Sequence, residues 1–227
     1  MDEHGLTRRG SLLRLGGFFA ALLGAGGWRI AESDGAGPAA VASGAVTCVL
    51  TPEQTEGPYY IPNERVRRNI TEGRPGAPLV LRLSVVDAST CRPIKGAAVD
   101  IWHADALGVY SGFGSVSRTF MRGIQKTDAK GLARFRTVYP GWYRGRTVHI
   151  HVKVHVAGNV VHTGQLYFPD SLTDRVFRRK PYSRRPNRDT RNATDAVFRN
   201  GGRRSLLSLR RSAGIYVGTI TMGVHRT

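Results

Sequence analysis

Acidic side chains, cysteine, long apolar runs and internal repeats are all scarce in this chain, and each shortage removes a class of explanation. Asp and Glu number 16 against 34 Lys and Arg, a net charge of +18 over 227 residues. Clustered basic residues neutralise phosphates, yet no recognition motif or aromatic stacking platform accompanies them, so no nucleic-acid partner is expected. The excess reads first as an arginine-rich solvated surface, densest over 175–211. Steering of anionic aromatics, or attachment to acidic polymers, are the functional alternatives. Cysteine occurs twice, at Cys48 and Cys91, without a C-x-x-C pair. No repeat of solenoid or propeller period is present. Glycine and proline are frequent but punctuate apolar runs, and the length suffices for one domain with its own core.

The one apolar stretch of note lies at the N-terminus, over 12–27, and Arg14 breaks it. It is too short and glycine-laden for a good membrane span. Thr7-Arg8-Arg9-Gly10-Ser11-Leu12-Leu13 sets paired arginines directly before it, and Ala40-Val41-Ala42 offers a small-x-small cleavage site. The pattern looks like a twin-arginine export signal. The expected division is therefore 1–42 as signal and linker and 43–227 as the functional domain. The protein is expected to be exported and to meet a membrane only through that signal. In an exported protein two cysteines favour a disulfide, here between Cys48 and Cys91.

Stretches 79–86, 97–103, 132–138, 147–156, 160–168 and 215–224 alternate with period two and are rich in β-branched residues. Turn signals such as Asp128-Ala129-Lys130-Gly131 separate them. This predicts an all-β fold: an antiparallel two-sheet β-sandwich with loop-rich insertions and little helix. Only 171–176 and 193–198 look mildly helical. Within 147–156, Val148, Ile150, Val152, Val154 and Val156 point one way, into the core, and His149, His151, Lys153 and His155 the other, into a cleft or solvent. Side chains two apart on a strand start roughly 6–7 Å from each other. His149 and His151 can therefore converge on one ion, while His155 lies a step too far.

A His-x-His strand alone is a moderate metal signal; its company is more specific. The runs Thr51-Pro-Glu-Gln-Thr-Glu-Gly-Pro-Tyr-Tyr60, Val99-Asp-Ile-Trp-His-Ala-Asp-Ala-Leu-Gly-Val-Tyr-Ser111, Arg122-Gly123, Tyr139-Pro-Gly-Trp-Tyr143, Arg146-Thr-Val-His-Ile-His151 and Gly164-Gln-Leu-Tyr-Phe168 together resemble the intradiol ring-cleavage dioxygenases. That resemblance covers the chain from about Cys48 onward and is nearest to exported, single-chain members. It implies Fe(III) as cofactor, a small aromatic diol and dioxygen as substrates, and Tyr110, Tyr143, His149 and His151 as ligands. It makes Tyr143 the ligand that takes a substrate proton and Arg146 the group that stabilises negative charge on the ring. It implies that Gln165 hydrogen-bonds near the metal and that Gly57, Pro58 and Tyr59 line the entrance; for Trp142, packing on the aromatic ring and a place in the core are equally open. The chemistry agrees, because phenolate oxygen suits a hard ferric ion. A bound cation favours deprotonation of a tyrosine whose ordinary pKa is about 10, and neutral imidazoles complete the shell.

Two departures from the family pattern shape the pocket. Thr147-Val148 stands where proline often precedes the histidine pair, and Arg144 follows the second tyrosine. The short Tyr143–Arg146 spacing argues for an open pocket in which Arg144 can meet an acidic substituent. A homodimer is compatible with the pattern. Two other function classes compete: a β-sandwich binding module without catalysis, which has no need of the tyrosine pair or Arg146, and a zinc hydrolase built on His149 and His151, which lacks a suitably spaced acidic third ligand.

Overall fold

A computed structural model of the chain describes residues 48–226 apart from 115 and 117. The 1–42 segment and the expected boundary after it lie outside the described residues. Eight strands are described: β1 (Pro78–Asp87), β2 (Ala98–Trp102), β3 (Arg122–Lys126), β4 (Leu132–Val138), β5 (His149–Val156), β6 (Asn159–Tyr167), β7 (Ser208–Ser212) and β8 (Ile215–Val224). Helices α1 (Asp170–Phe177) and α2 (Ala196–Arg199) and three short 3-10 turns fall between β6 and β7. Among the described residues no helix is long and apolar enough to cross a membrane.

The strands form two four-stranded sheets, ordered β4-β1-β8-β7 and β3-β2-β5-β6. The alternation read in the sequence sets which side chains meet. On β1 every second residue, Leu79, Leu81, Leu83 and Val85, is buried. Phe135 of β4 joins them, and Val99, Ile101, Ile150, Val152 and Val154 of the other sheet close the same cluster. Each such side chain contributes about 1.5–3 kcal/mol through lost apolar exposure. The core therefore lies between the sheets, as a sandwich requires.

Three features depart from the sequence expectation. The first sheet is not wholly antiparallel, because β8 runs parallel to β1, with Leu79 opposite Tyr216 and Asp87 opposite Val224. The long connection after β6 brings the last strand back beside the first in the same direction. Strands β3 and β7 were not predicted. Both are edge strands, and their sequences RGIQK and SLRRS carry too few apolar residues to show alternation. The outer face of the second sheet, expected to look into a cleft or solvent, is largely covered: His149, His151 and Lys153 are all buried.

The cover is the 51–64 segment. Glu53 accepts from Thr163 N at 2.9 Å and pairs with His162 at 2.7 Å, and Gln54 N donates to Thr163 O at 2.9 Å. Glu56 pairs with Lys153, whose ammonium sits 3.9 Å from the Tyr60 ring centroid. A disulfide joins Cys48, upstream of this segment, to Cys91 in the β1–β2 connection, with Cα atoms 5.4 Å apart.

Candidate metal centre

Strand β5 presents His149 and His151 to the space beneath that segment, and two loops bring tyrosines to them. Tyr110 lies midway in the connection between β2 and β3. Asp105 shapes its first part, Oδ1 accepting from Leu107 N at 2.9 Å and Val109 N at 3.0 Å while Arg74 holds Oδ2. Tyr143 lies midway in the connection between β4 and β5, which docks on the first through Gly141 N donating to Asp105 O at 2.9 Å. A Cβ at Gly141 would stand 2.5 Å from Ala106 O, so the approach that brings the two tyrosines together requires glycine there.

The four side chains converge. The Nε2 atoms of His149 and His151 are 3.0 Å apart, and Tyr143 Oη is 3.2 Å from His149 Nε2. The rings of Tyr110 and Tyr143 cross at 74° with centroids 5.5 Å apart. His149 Nδ1 lies 2.6 Å from Thr147 O. A carbonyl only accepts, so Nδ1 carries the proton and Nε2 offers a lone pair to the centre. Trp102 stacks on His151 at 4.9 Å and 5°. Burial, reinforced by Arg146, pushes the His149 pKa down to about 3, and burial with His149 alongside pushes His151 well below its ordinary value. Both imidazoles are therefore neutral donors.

The phenols respond in the opposite sense. Burial, then Tyr143 beside it, raises Tyr110 well above 10, and burial raises Tyr143 despite Arg146. Tyr110 Oη is buried without a hydrogen-bond partner. Leaving a buried hydroxyl unpaired costs about 1–3 kcal/mol, and a cation between these atoms removes that cost. Two phenol oxygens and two imidazole nitrogens around one point, with an orphaned oxygen among them, fit a hard trivalent ion such as Fe(III). Among the described residues no three His, Cys, Asp or Glu side chains gather to hold a metal.

Arg146 adjoins the four. Its Nε donates to Asp195 Oδ2 at 2.9 Å and its Nη2 to Gln165 Oε1 at 2.5 Å. Burial opposes the charge on Arg146, but Tyr143 and Asp195 outweigh it and hold the guanidinium pKa above its ordinary value. Gln165 also accepts from Tyr167 Oη at 3.1 Å and donates to Thr55 O at 2.9 Å. Gly57, at φ +71°, lies against His151: a Cβ there would be 3.1 Å from His151 Cε1. Tyr59 stacks on Tyr110 at 4.2 Å and meets Tyr143 edge-on at 6.0 Å, and Pro58, between Gly57 and Tyr59, is exposed.

Trp142 is not brought to the four residues. Its ring packs on the main core, its Nε1 donates to Arg185 O at 2.8 Å, and the Arg185 guanidinium covers it at 4.3 Å. Of the two roles open to Trp142, the core contact is the one the structure shows. His103 is also structural, with Ala104 O and Thr137 Oγ1 each 2.8 Å from its ring nitrogens. Arg144 is exposed.

Three supporting residues carry roles that the sequence alone does not assign. Asp105 organises the Tyr110 loop. Arg122, fully buried, donates to Tyr59 O and Ser111 O at 2.7 Å each, tying the covering segment to the residue after Tyr110. Asp195, also buried, accepts from Arg146, from Thr147 N at 2.7 Å and from Phe198 N at 2.9 Å. Only the last bond had a sequence signal, an aspartate placed to cap the short α2.

Comparison with known proteins agrees with this architecture. A family described as Dioxygenase matches residues 55–205. An intradiol ring-cleavage dioxygenase from Tetranychus urticae is 38% identical, with a TM-score of 0.75, over 78% of this chain and 95% of that one. The dioxygenase domain of a dioxygenase carbohydrate-binding protein fusion from Streptomyces sp. SirexAA-E is 35% identical, with a TM-score of 0.63, over 78% of this chain and 99% of that one. Catechol 1,2-dioxygenase 1 of Acinetobacter lwoffii is 35% identical over 101 residues, 41% of this chain and 32% of that protein. The chain spans between about a third and a half of the curated relatives it matches first. It belongs to the intradiol ring-cleavage dioxygenase family.

Proposed function

We propose that this protein is an exported Fe(III)-dependent dioxygenase that opens a catechol-type ring between its two hydroxyls, adding both atoms of dioxygen to give a muconate-type diacid. The observation that carries the reading is the meeting of Tyr110, Tyr143, His149 and His151 at one buried point beside Arg146. Family membership and catechol 1,2-dioxygenase relatives support it. In this reading the 1–42 segment is the export signal and 43–227 the catalytic domain.

Tyr110, Tyr143, His149 and His151 would hold the ion, which supplies the Lewis acidity that makes a chelated catecholate reactive toward dioxygen. The chain's own groups do the rest. Tyr143, half-buried where Tyr110 is buried, would be held as phenolate by the ion and is the side chain placed to take a substrate hydroxyl proton at Oη, becoming the neutral phenol. His149 is fixed by Thr147 O and stays neutral. Arg146 sets a permanent positive charge beside the substrate face, where negative charge on the ring develops. Tyr59, stacked on Tyr110, keeps water from that side.

The test is direct. Purified protein should be red-brown from ferric tyrosinate and should consume oxygen with one or more of catechol, 4-substituted catechols, hydroxyquinol and protocatechuate, yielding ring-opened acid. Tyr143→Phe should bleach the colour and abolish turnover. A colourless zinc protein, or one inert toward all four, would sink the reading.

A further inference from the structure

We propose that α1, β7 and the start of β8 form a binding groove for an acidic polysaccharide, on the sheet that does not carry the histidine strand. Two concave surfaces of about 440 and 490 Å³ adjoin there and share Arg179, Arg211 and Tyr216. Arg175 and Arg210 complete the basic lining of the first, Lys180 and Arg184 that of the second. No Asp or Glu lines either surface, and neither includes any of the four residues of the candidate metal centre.

The lining is not what an evenly arginine-rich surface would give. Helix α1 carries two carboxylates, Asp170 and Asp174, but both are engaged elsewhere. Arg188 pairs with Asp170 and Asp174, the latter at 2.9 Å, and Arg191 pairs with Asp174 at 3.1 Å. Among the described residues none of the six groove cations forms an ion pair. The helix thus sorts its neighbours: acids are neutralised on one side, and guanidiniums stand free on the other. Leu172 and Leu209 give the groove an apolar floor.

An apolar floor under unpaired guanidiniums fits rings that bear carboxylates, because guanidinium meets carboxylate through two parallel N–H···O bonds. Two adjoining hollows with shared cations fit a ligand that repeats, so a chain of acidic sugars is favoured over a single small anion. Single-stranded nucleic acid is less well served. It binds by base stacking on exposed aromatics, and the two aromatic rings here, Tyr216 and Tyr182, are 7% and 1% exposed.

The experiment uses the full chain and three polymers: polygalacturonate, neutral dextran and oligo-dT. Affinity is read by calorimetry at about 50 mM salt, where screening is moderate. Polygalacturonate should bind, dextran should not, and oligo-dT should bind more weakly. Arg179→Glu with Arg211→Glu should weaken polygalacturonate binding by roughly tenfold or more. Arg92→Glu with Lys95→Glu, the same change of net charge in the β1–β2 connection, should leave it nearly unchanged. Thermal midpoint and oxygen uptake report that each variant is folded. Should the glutamate pair unfold, Arg179→Gln with Arg211→Gln is read in its place. No binding to polygalacturonate, equal loss in both charge-reversed pairs, or tighter binding to oligo-dT through the same arginines each overturns the proposal.

Discussion

Asp195 holds the guanidinium of Arg146 from below while its other oxygen caps α2, so one carboxylate sets both the charge and the aim of that arginine. Burial opposes its ionisation, but bonds from Phe198 N and Thr147 N, with Arg146 alongside, hold its pKa below the ordinary carboxylate range. Asp195→Asn keeps the shape and removes the ion pair. We expect kcat to fall by roughly 10- to 100-fold with a smaller change in KM, while the visible band of the proposed ferric tyrosinate centre persists. Unchanged kcat, or a bleached protein, would show that Asp195 does not act through Arg146. Gly141 is the steric counterpart. Gly141→Ala drives a Cβ into Ala106 O and Asp105 O and should cost roughly 1–3 kcal/mol of stability in urea unfolding, together with reduced occupancy by the proposed iron. The four converging side chains were legible because their order and spacing match a family pattern. Asp105, Arg122 and Asp195 were not, because a single charged residue in a polar loop looks the same whether it is solvated or buried.

At the scale of elements, legibility followed burial. β1, β4 and β5 pack one face on the core, and their alternation was visible within a residue or two of the observed bounds. β3 and β7 are held mainly by one neighbour's ladder, and backbone hydrogen bonds leave no mark on side-chain pattern. On β2 the sequence hides a buried acid. Both Asp100 oxygens lie buried without a hydrogen-bond partner, and burial, then Glu64, raises its pKa to about 7. An unfolded aspartate titrates near 3.9. The folded state therefore binds the proton more tightly, and this group lowers stability as pH rises from about 4 to about 7. Asp100→Asn should flatten that part of the urea-unfolding profile and leave the variant more stable than the wild type at pH 8. Parallel profiles for the two proteins would refute the assignment.

For the molecule as a whole, two cross-links of different kinds should dominate stability. The disulfide closes a separation of 43 residues, for which the loop-entropy model gives about 4 kcal/mol. Cys48→Ser with Cys91→Ser should lower the thermal midpoint while leaving the visible band intact, since neither cysteine is among the converging residues. Chelation of the proposed iron should also lower the midpoint, because an ion that binds only the folded chain stabilises it by mass action. It should abolish the colour at the same time, and a midpoint indifferent to chelator would argue against a resident ion.

The covering strap has a further consequence. Gly57 rests on His151, Arg122 ties Tyr59 to the loop of Tyr110, and Asp195, far downstream, anchors Arg146. A protease cut anywhere between the strap and α2 would therefore break the covalent link between parts that the proposed chromophore needs at once. On that proposal the colour becomes an optical gauge of intactness: nicked or half-assembled molecules should be pale even when their β-sheet content, read by circular dichroism, is preserved.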